Sequence, residues 1–216
     1  MKRRNFLLTA SAFAGTAGLG AVGLGATGRT YGTALLHPQA AYDLTVQKAK
    51  YSLRHRPTFG MVSLSTDAPP PVLVGRQGVP MALNVHNTLP DYTAMHWHGL
   101  RIANAMDGVP YLTQLPIATH ETYRYVFTPP DAGTYWYHPH CMTMDQMAHG
   151  LTGVLVINET INPGFDADQV INLKDFRLDE DGRFLPSFTG RGAARGGTLG
   201  NVLTANWHIN PVYEHP

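Results

Sequence analysis

Trp136-Tyr137-His138-Pro139-His140 and, about forty residues earlier, His96-Trp97-His98-Gly99 decide the fold of this chain. Both stretches carry aromatic residues and read as strands. In an extended strand residues i and i+2 project from one face, so each His-x-His pair aims two imidazoles at one spot. A single such pair arises by chance on many surface strands. Two of them, both flanked by aromatics, point to a shared metal site. Four convergent imidazoles suit copper, zinc, iron or nickel, and with no thiolate at hand copper leads.

Working outward, the apolar residues keep a period of two. Tyr42, Leu44 and Val46 alternate with polar neighbours, as do Met81, Leu83 and Val85, and Tyr123, Tyr125 and Phe127. Between these runs lie turn-forming clusters such as Ala68-Pro69-Pro70-Pro71, Asn87-Thr88-Leu89-Pro90-Asp91 and Pro129-Pro130-Asp131-Ala132-Gly133. Gly153-Val154-Leu155-Val156-Ile157 is a continuous apolar run of the kind found in a buried strand. With 22 glycines, 16 prolines and only 14% charged residues among 216, the pattern predicts an all-β protein, a Greek-key β-sandwich. Residues 142–149 are expected to form one short turn of helix.

A break follows Ile157. Residues 159–169 are polar, contain Pro163-Gly164 and read as a linker. A strand is expected to restart at Val170-Ile171-Asn172-Leu173, with a hairpin turn at Asp179-Glu180-Asp181-Gly182, a Gly/Arg loop over 190–200 and a further strand-like stretch over 201–207. The roughly 50 residues after the linker are few for a second sandwich of ordinary size.

The start of the chain reads as a targeting segment. Lys2-Arg3-Arg4-Asn5-Phe6-Leu7 places adjacent arginines ahead of a weakly apolar run to about Gly25, the pattern of a twin-arginine export signal occupying 1–28. The run is almost long enough to span a membrane, but its Gly, Ala and Thr content makes it a poor anchor, so no stable anchor is expected after cleavage. The mature chain is therefore expected in the periplasm or outside the cell. Cys141 is the only cysteine, so no intrachain disulfide can form in that oxidising compartment. Removing Lys2, Arg3 and Arg4 from the 16 basic residues leaves a net charge of −2 against 15 acidic ones. No basic stripe remains to recruit nucleic acid.

These motifs resemble the N-terminal cupredoxin domain of a multicopper oxidase of the laccase-like kind. The resemblance rests on His96-Trp97-His98-Gly99, on Gly133-Thr134-Tyr135-Trp136-Tyr137-His138-Pro139-His140, on Ala105-Met106-Asp107-Gly108-Val109-Pro110 and on the segment from Phe127 to Gly133. It implies a cupredoxin-like sandwich over 40–158 and the incomplete start of a second cupredoxin domain over 170–216. It also implies copper as cofactor, with O2 and a small reducing substrate as partners of the complete enzyme. In such enzymes four His-x-His motifs enclose a three-copper cluster. By the resemblance His96 would ligate the type 2 copper, and His98, His138 and His140 the type 3 pair. Trp97 and Pro139 would face the core. Asp107, nine residues after His98, would be the acid that helps deliver protons to oxygen. An Asp-Gly pair is also a common turn, so Asp107 has a purely structural reading beside the catalytic one.

Cys141 does not fit a blue-copper site. Such a site takes one Cys thiolate, two His and usually a weak axial Met. The first free His after Cys141 is His149, eight residues on, where the usual offset is two to five. Cys141 reads instead as a small, partly buried thiol, and Met142, Met144 and Met147 as packing residues. His37, His55, His86, His120, His149, His208 and His215 lack paired spacing and read as surface or capping residues.

The resemblance implies four of eight trinuclear ligands here and no type 1 copper site. The chain by itself is then expected to be inactive. The rest would come from missing C-terminal cupredoxin domains or from another chain. Two alternatives stand beside the oxidase: a non-catalytic periplasmic copper-binding protein, and a subunit that completes its copper site with a partner.

Overall fold

The computed structural model describes residues 40–54 and 57–212, so the export-signal reading of 1–28 and the histidines at 37, 55 and 215 lie outside the described residues. Within them the period-two pattern becomes strands. β1 (Ala40–Tyr51), β2 (Thr58–Ser63), β4 (Met81–Asn87) and β6 (Thr122–Phe127) form one four-stranded sheet in the order β2-β1-β4-β6. β3 (Leu73–Arg76), β5 (Met95–His98), β7 (Gly133–Pro139) and β8 (Gly153–Asn158) form the other, in the order β3-β8-β7-β5. β1 pairs with β4, and β3 with β8, in parallel; the remaining pairs are antiparallel. Parallel neighbours cannot be joined by a tight hairpin, so the chain crosses between the sheets to make them. The result is the expected all-β cupredoxin-like sandwich.

The inward faces meet in one apolar cluster. Leu44, Val46, Leu83, Val85, Tyr125 and Phe127 come from one sheet, and Leu73, Met95, Trp97, Tyr137, Leu155 and Ile157 from the other. Trp97 is fully buried and packs edge-on against Tyr125 at 5.2 Å between ring centroids. Burying one such side chain contributes about 1.5–3 kcal/mol. Pro139 is buried on the same face, as the alternation requires. Tyr137 is equally buried and donates its hydroxyl to the Pro71 carbonyl at 2.9 Å. Its cross-strand neighbour has to be Gly153, because a Cβ there would lie 2.2 Å from the Tyr137 oxygen.

Residues 159–172 carry no helix or strand. Beyond them β9 (Leu173–Phe176) and β10 (Val202–Ala205) pair antiparallel into a separate two-stranded ribbon. β9 starts three residues later than the sequence pattern places it. The Asn206 side chain is the reason: its Oδ1 accepts from Asn172 N at 2.8 Å and its Nδ2 donates to Val170 O at 3.0 Å, holding 170–172 outside the ladder. The expected turn at 179–182 closes through Gly182 N to Asp179 O at 3.2 Å. The expected loop over 190–200 contains one turn of helix, α2 (Gly190–Ala193), because Thr189 Oγ1 accepts from Gly192 N and caps it. Phe176, Leu178, Val202 and Trp207 then pack on Ala49, Leu53 and Met61 in a second apolar cluster. β1 therefore serves both cores, through Leu44 and Val46 in one and Ala49 in the other. Among the described residues no helix is long and apolar enough to cross a membrane.

Candidate metal centre

β5 and β7 run antiparallel with His96 directly opposite His138 and His98 opposite Trp136. His140 follows the last residue of β7, and its N–H donates to the Ala94 carbonyl at 2.9 Å. The outward face of this pair is consequently a row of five rings: His98 and Trp136, His96 and His138, and His140. Nitrogen atoms of His96, His138 and His140 all lie within 4.8 Å of one another. His98 turns its Nδ1 toward His138 Nε2 at 3.1 Å. The two sequence pairs thus meet as one cluster.

What orients each ring differs. His96 Nδ1 lies 2.7 Å from the Asp107 carbonyl oxygen, which can only accept, so Nδ1 carries the proton and Nε2 is left as a lone-pair donor. The Asp107 carboxylate approaches the same nitrogen at 3.3 Å. His138 Nδ1 likewise donates to its neighbour's Pro139 carbonyl at 3.1 Å. The Gly108 backbone hydrogen-bonds the His140 ring, and that ring stacks on His96 at 4.4 Å with 14° between planes.

The loop that supplies these contacts is shaped for the task. A single 3₁₀ turn, Asn104–Met106, ends where Asp107 N donates to Asn104 O at 3.1 Å. Gly108 follows at φ +75°, and a Cβ there would sit 1.8 Å from the Met95 carbonyl oxygen. Only glycine lets the loop press against β5 closely enough to reach both His96 and His140. On the other flank, α1 (Thr143–Ala148) is the short helix expected over 142–149. Its buried Gln146 accepts from Thr93 Oγ1 and donates to Tyr92 O, both at 2.9 Å, tying the helix to the segment that leads into β5.

Burial sets the charge state. Loss of water around His138 pulls its imidazole down to about 4, against a hydrogen bond to Pro139 that acts the other way; the neighbouring imidazoles lower it further. Burial also lowers His140, with His96 adding to the effect and Asp107 opposing it. Both rings are neutral near pH 7, which is the form that binds a metal. Cys141 is half-buried and burial pushes its thiol up, away from the thiolate a blue-copper ligand must be.

The remaining described histidines stand apart. His86 Nδ1 pairs with Thr122 Oγ1 at 2.9 Å, while His120 and His208 are exposed. His149 caps the end of α1, but it is half-buried rather than superficial, because its ring packs edge-on against Phe184 at 4.2 Å. Two members of the site had no role in the sequence reading. Gly108 shows its importance only through its positive φ, and Trp136 through cross-strand stacking on His98 at 4.6 Å, beside a tilted contact with His138 of its own strand at 4.3 Å.

Comparison with known proteins identifies the family. The sequence model of the family described as multicopper oxidase matches residues 45–161, more than half of the chain and the whole of the histidine site. The chain belongs to the multicopper oxidase family. It is 37% identical over 110 residues to copper resistance protein A of Escherichia coli, covering 50% of this chain and 18% of that protein. It is 35% identical over 134 residues to the multicopper oxidase MmcO of Mycobacterium tuberculosis, covering 62% and 26%. The solved multicopper oxidase of Pseudomonas thermotolerans superposes with a TM-score of 0.76 at 38% identity, over 79% of this chain and 42% of that one. This multicopper oxidase chain therefore spans about a fifth to a quarter of those curated relatives and about two-fifths of the solved structure.

Proposed function

We propose that this chain supplies half of the trinuclear copper site of an oxidase that couples one-electron oxidation of a small reducing substrate to reduction of O2 to water. The observation that carries the reading is the convergence of His96, His138 and His140 within 4.8 Å, with His98 alongside, in a chain of the multicopper oxidase family. The donor set fits copper: four imidazoles, of which burial keeps His138 and His140 neutral, with carbonyl oxygens holding the far nitrogens of His96 and His138. Copper held there supplies one-electron redox chemistry and a place for oxygen to bind. His96 is assigned to the type 2 position, and His98, His138 and His140 to the type 3 pair, on the family resemblance.

The chain's own residues do the rest. The Asp107 and Gly108 backbone fixes His96 and His140, and the Pro139 carbonyl fixes His138. Reduction of O2 to water consumes as many protons as electrons. The Asp107 carboxylate is one-third exposed and 3.3 Å from His96 Nδ1, so it can hold a proton between solvent and the site. In the complete oxidase, Asp107→Asn is expected to retain copper and slow oxygen uptake, with the loss deepening as pH rises. Unchanged turnover across pH would remove Asp107 from the mechanism.

Among the described residues there is no second set of paired histidines and no thiolate ligand for a type 1 site. The remaining ligands are assigned to further cupredoxin domains or to another chain, and the 216-residue chain alone is expected to consume no O2. Its targeting segment, Lys2-Arg3-Arg4 followed by a weakly apolar run, supports export through the twin-arginine route. The test is copper content and oxygen uptake of the purified chain. Copper bound through the four histidines without oxygen uptake supports the reading. No copper, or equal copper after His96→Ala and His138→Ala together, overturns it. Copper content that depends on oligomeric state would favour a site completed across an interface, and oxygen uptake by the lone chain would overturn the assigned division of ligands.

A further inference from the structure

Three of the four imidazoles are held by the backbone; His98 is not. His96 bonds the Asp107 carbonyl, His138 the Pro139 carbonyl and His140 the Gly108 backbone. The hydrogen bond that orients His98 runs from its Nδ1 to His138 Nε2, a nitrogen that a metal ligated by His138 would take. His98 is also exposed, on β5, the edge strand of its sheet. An unrestrained ring in that position would rotate freely about its side-chain bonds. Ring contacts survive loss of the imidazole–imidazole bond: His96 meets His98 edge-on at 5.4 Å, and Trp136 is the one that stacks on it. Trp136, directly opposite in the ladder, lies with its ring 4.6 Å from His98 at 27° between planes, and 4.3 Å from His138 at 31°. Near-parallel rings at this separation are an attractive, orientation-dependent contact.

The indole has a second boundary. Trp136 lines a cavity of about 540 Å³ with Met147, Gly153, Lys174 and Leu203, where the β9–β10 ribbon and α1 face the sheet. It therefore stands as a wall between the imidazole row and the ribbon. One side of the indole borders that open space, and the other is stacked on His98 and tilted against His138.

We propose that Trp136 is a positioning residue of the metal site: it sets the ring plane of His98, and with it that of His138, in place of the backbone hydrogen bond that His98 lacks. The proposal rests on reading the histidine row as a metal site, and it carries a consequence that is independent of metal. In the metal-free chain the carbon-bound protons of the His98 and His138 rings lie over the indole and are shifted upfield by its ring current.

The test uses the whole chain and three substitutions. Trp136→Phe keeps a flat aromatic face, Trp136→Leu keeps apolar bulk without one, and Trp136→Ala removes both. In metal-free spectra the upfield shifts should persist in reduced form in Trp136→Phe and vanish in Trp136→Leu and Trp136→Ala. In copper(II) titrations Trp136→Leu should bind about tenfold more weakly, the scale on which ligand-orienting partners act, while Trp136→Phe should stay within about threefold. Thermal melting separates this from a general structural role, since Trp136→Leu should melt close to the parent while losing affinity. If Trp136→Ala does not fold, the Leu and Phe pair still decides the matter. Unshifted His98 protons in the parent, or a folded Trp136→Leu chain with parental copper affinity, would overturn the proposal. A parent chain that binds no copper but shows the ring-current shifts would instead overturn the metal reading and leave the positioning role of Trp136 standing.

Discussion

β5–β7 and β9–β10 are the same object in outline: two antiparallel strands joined by four register pairs. Each buries one face, Trp97 and Tyr137 in the first, Phe176 and Val202 in the second. They differ in what the other face carries and in what presses on it. The outward face of β5–β7 holds imidazoles that are clamped by the 107–108 backbone and by Trp136, leaving His138 only 7% exposed. The outward face of β9–β10 offers Leu173 and Leu203, which are 78% and 74% exposed. A strand pair becomes a site when neighbouring elements fix the rings it displays; the ladder alone provides only the spacing.

Four experiments would break or sharpen that contrast. Phe176→Ala empties the centre of the ribbon's small core, where the side chain is fully buried. It should cost about 3–5 kcal/mol in denaturant unfolding yet leave copper affinity unchanged. A parallel loss of copper binding would mean that ribbon and sandwich act as one unit. Second, acid should weaken the metal-free chain. His138 titrates near pH 4 when folded, against about 6.5 when unfolded, so the unfolded chain binds more protons between those values. Stability is then complete above pH 6.5 and falls as pH drops toward 4, by at most about 3 kcal/mol for this residue. His140 and His149, lowered by the same burial, act in the same direction. Urea unfolding at several pH values should show the slope, and His138→Gln should remove that residue's share.

Third, Gly108→Ala forces a Cβ against the Met95 carbonyl. The displaced loop should weaken copper binding by about 10–100-fold, as read by titration calorimetry, with the ribbon's hydrogen exchange unchanged. Parental affinity would show that the loop's contacts to His96 and His140 are incidental. Smallest of all, Leu203→Ser on the exposed ribbon face should change stability by less than about 0.5 kcal/mol. Its effect should appear in light scattering instead, as less self-association.

The parts legible in the sequence are those set by strand periodicity. Leu44, Val46, Leu83 and Val85 face inward because their neighbours are polar, and the His-x-His pairs face outward by the same arithmetic. The family motifs added the expectation that both histidine pairs serve one copper cluster. What stayed hidden depends on contacts between segments distant in sequence. Trp136 looks like any strand aromatic until β5 is set beside it, and Gly108 like half of an ordinary Asp-Gly turn until the Met95 carbonyl is 1.8 Å from its missing Cβ. The start of β9 was misplaced for a similar reason: Val170 and Ile171 have strand character, but Asn206, more than thirty residues away, holds that stretch outside the ladder. His149 has no paired spacing, and its half-burial follows from Phe184, far along the chain.

β5 is the last strand of its sheet, with the 107–108 loop lying along its free flank. The histidine row is thus at a rim, where His98 is exposed, and an ion bound there would not have to part the two sheets. Loosening of that loop, which holds His96 through the Asp107 carbonyl, should accordingly weaken the grip on an ion, and it is a small opening that costs far less than unfolding the domain. An ion held there would then exchange while the sandwich stays folded, and the firmness of its hold would depend on five residues, Asn104 to Gly108.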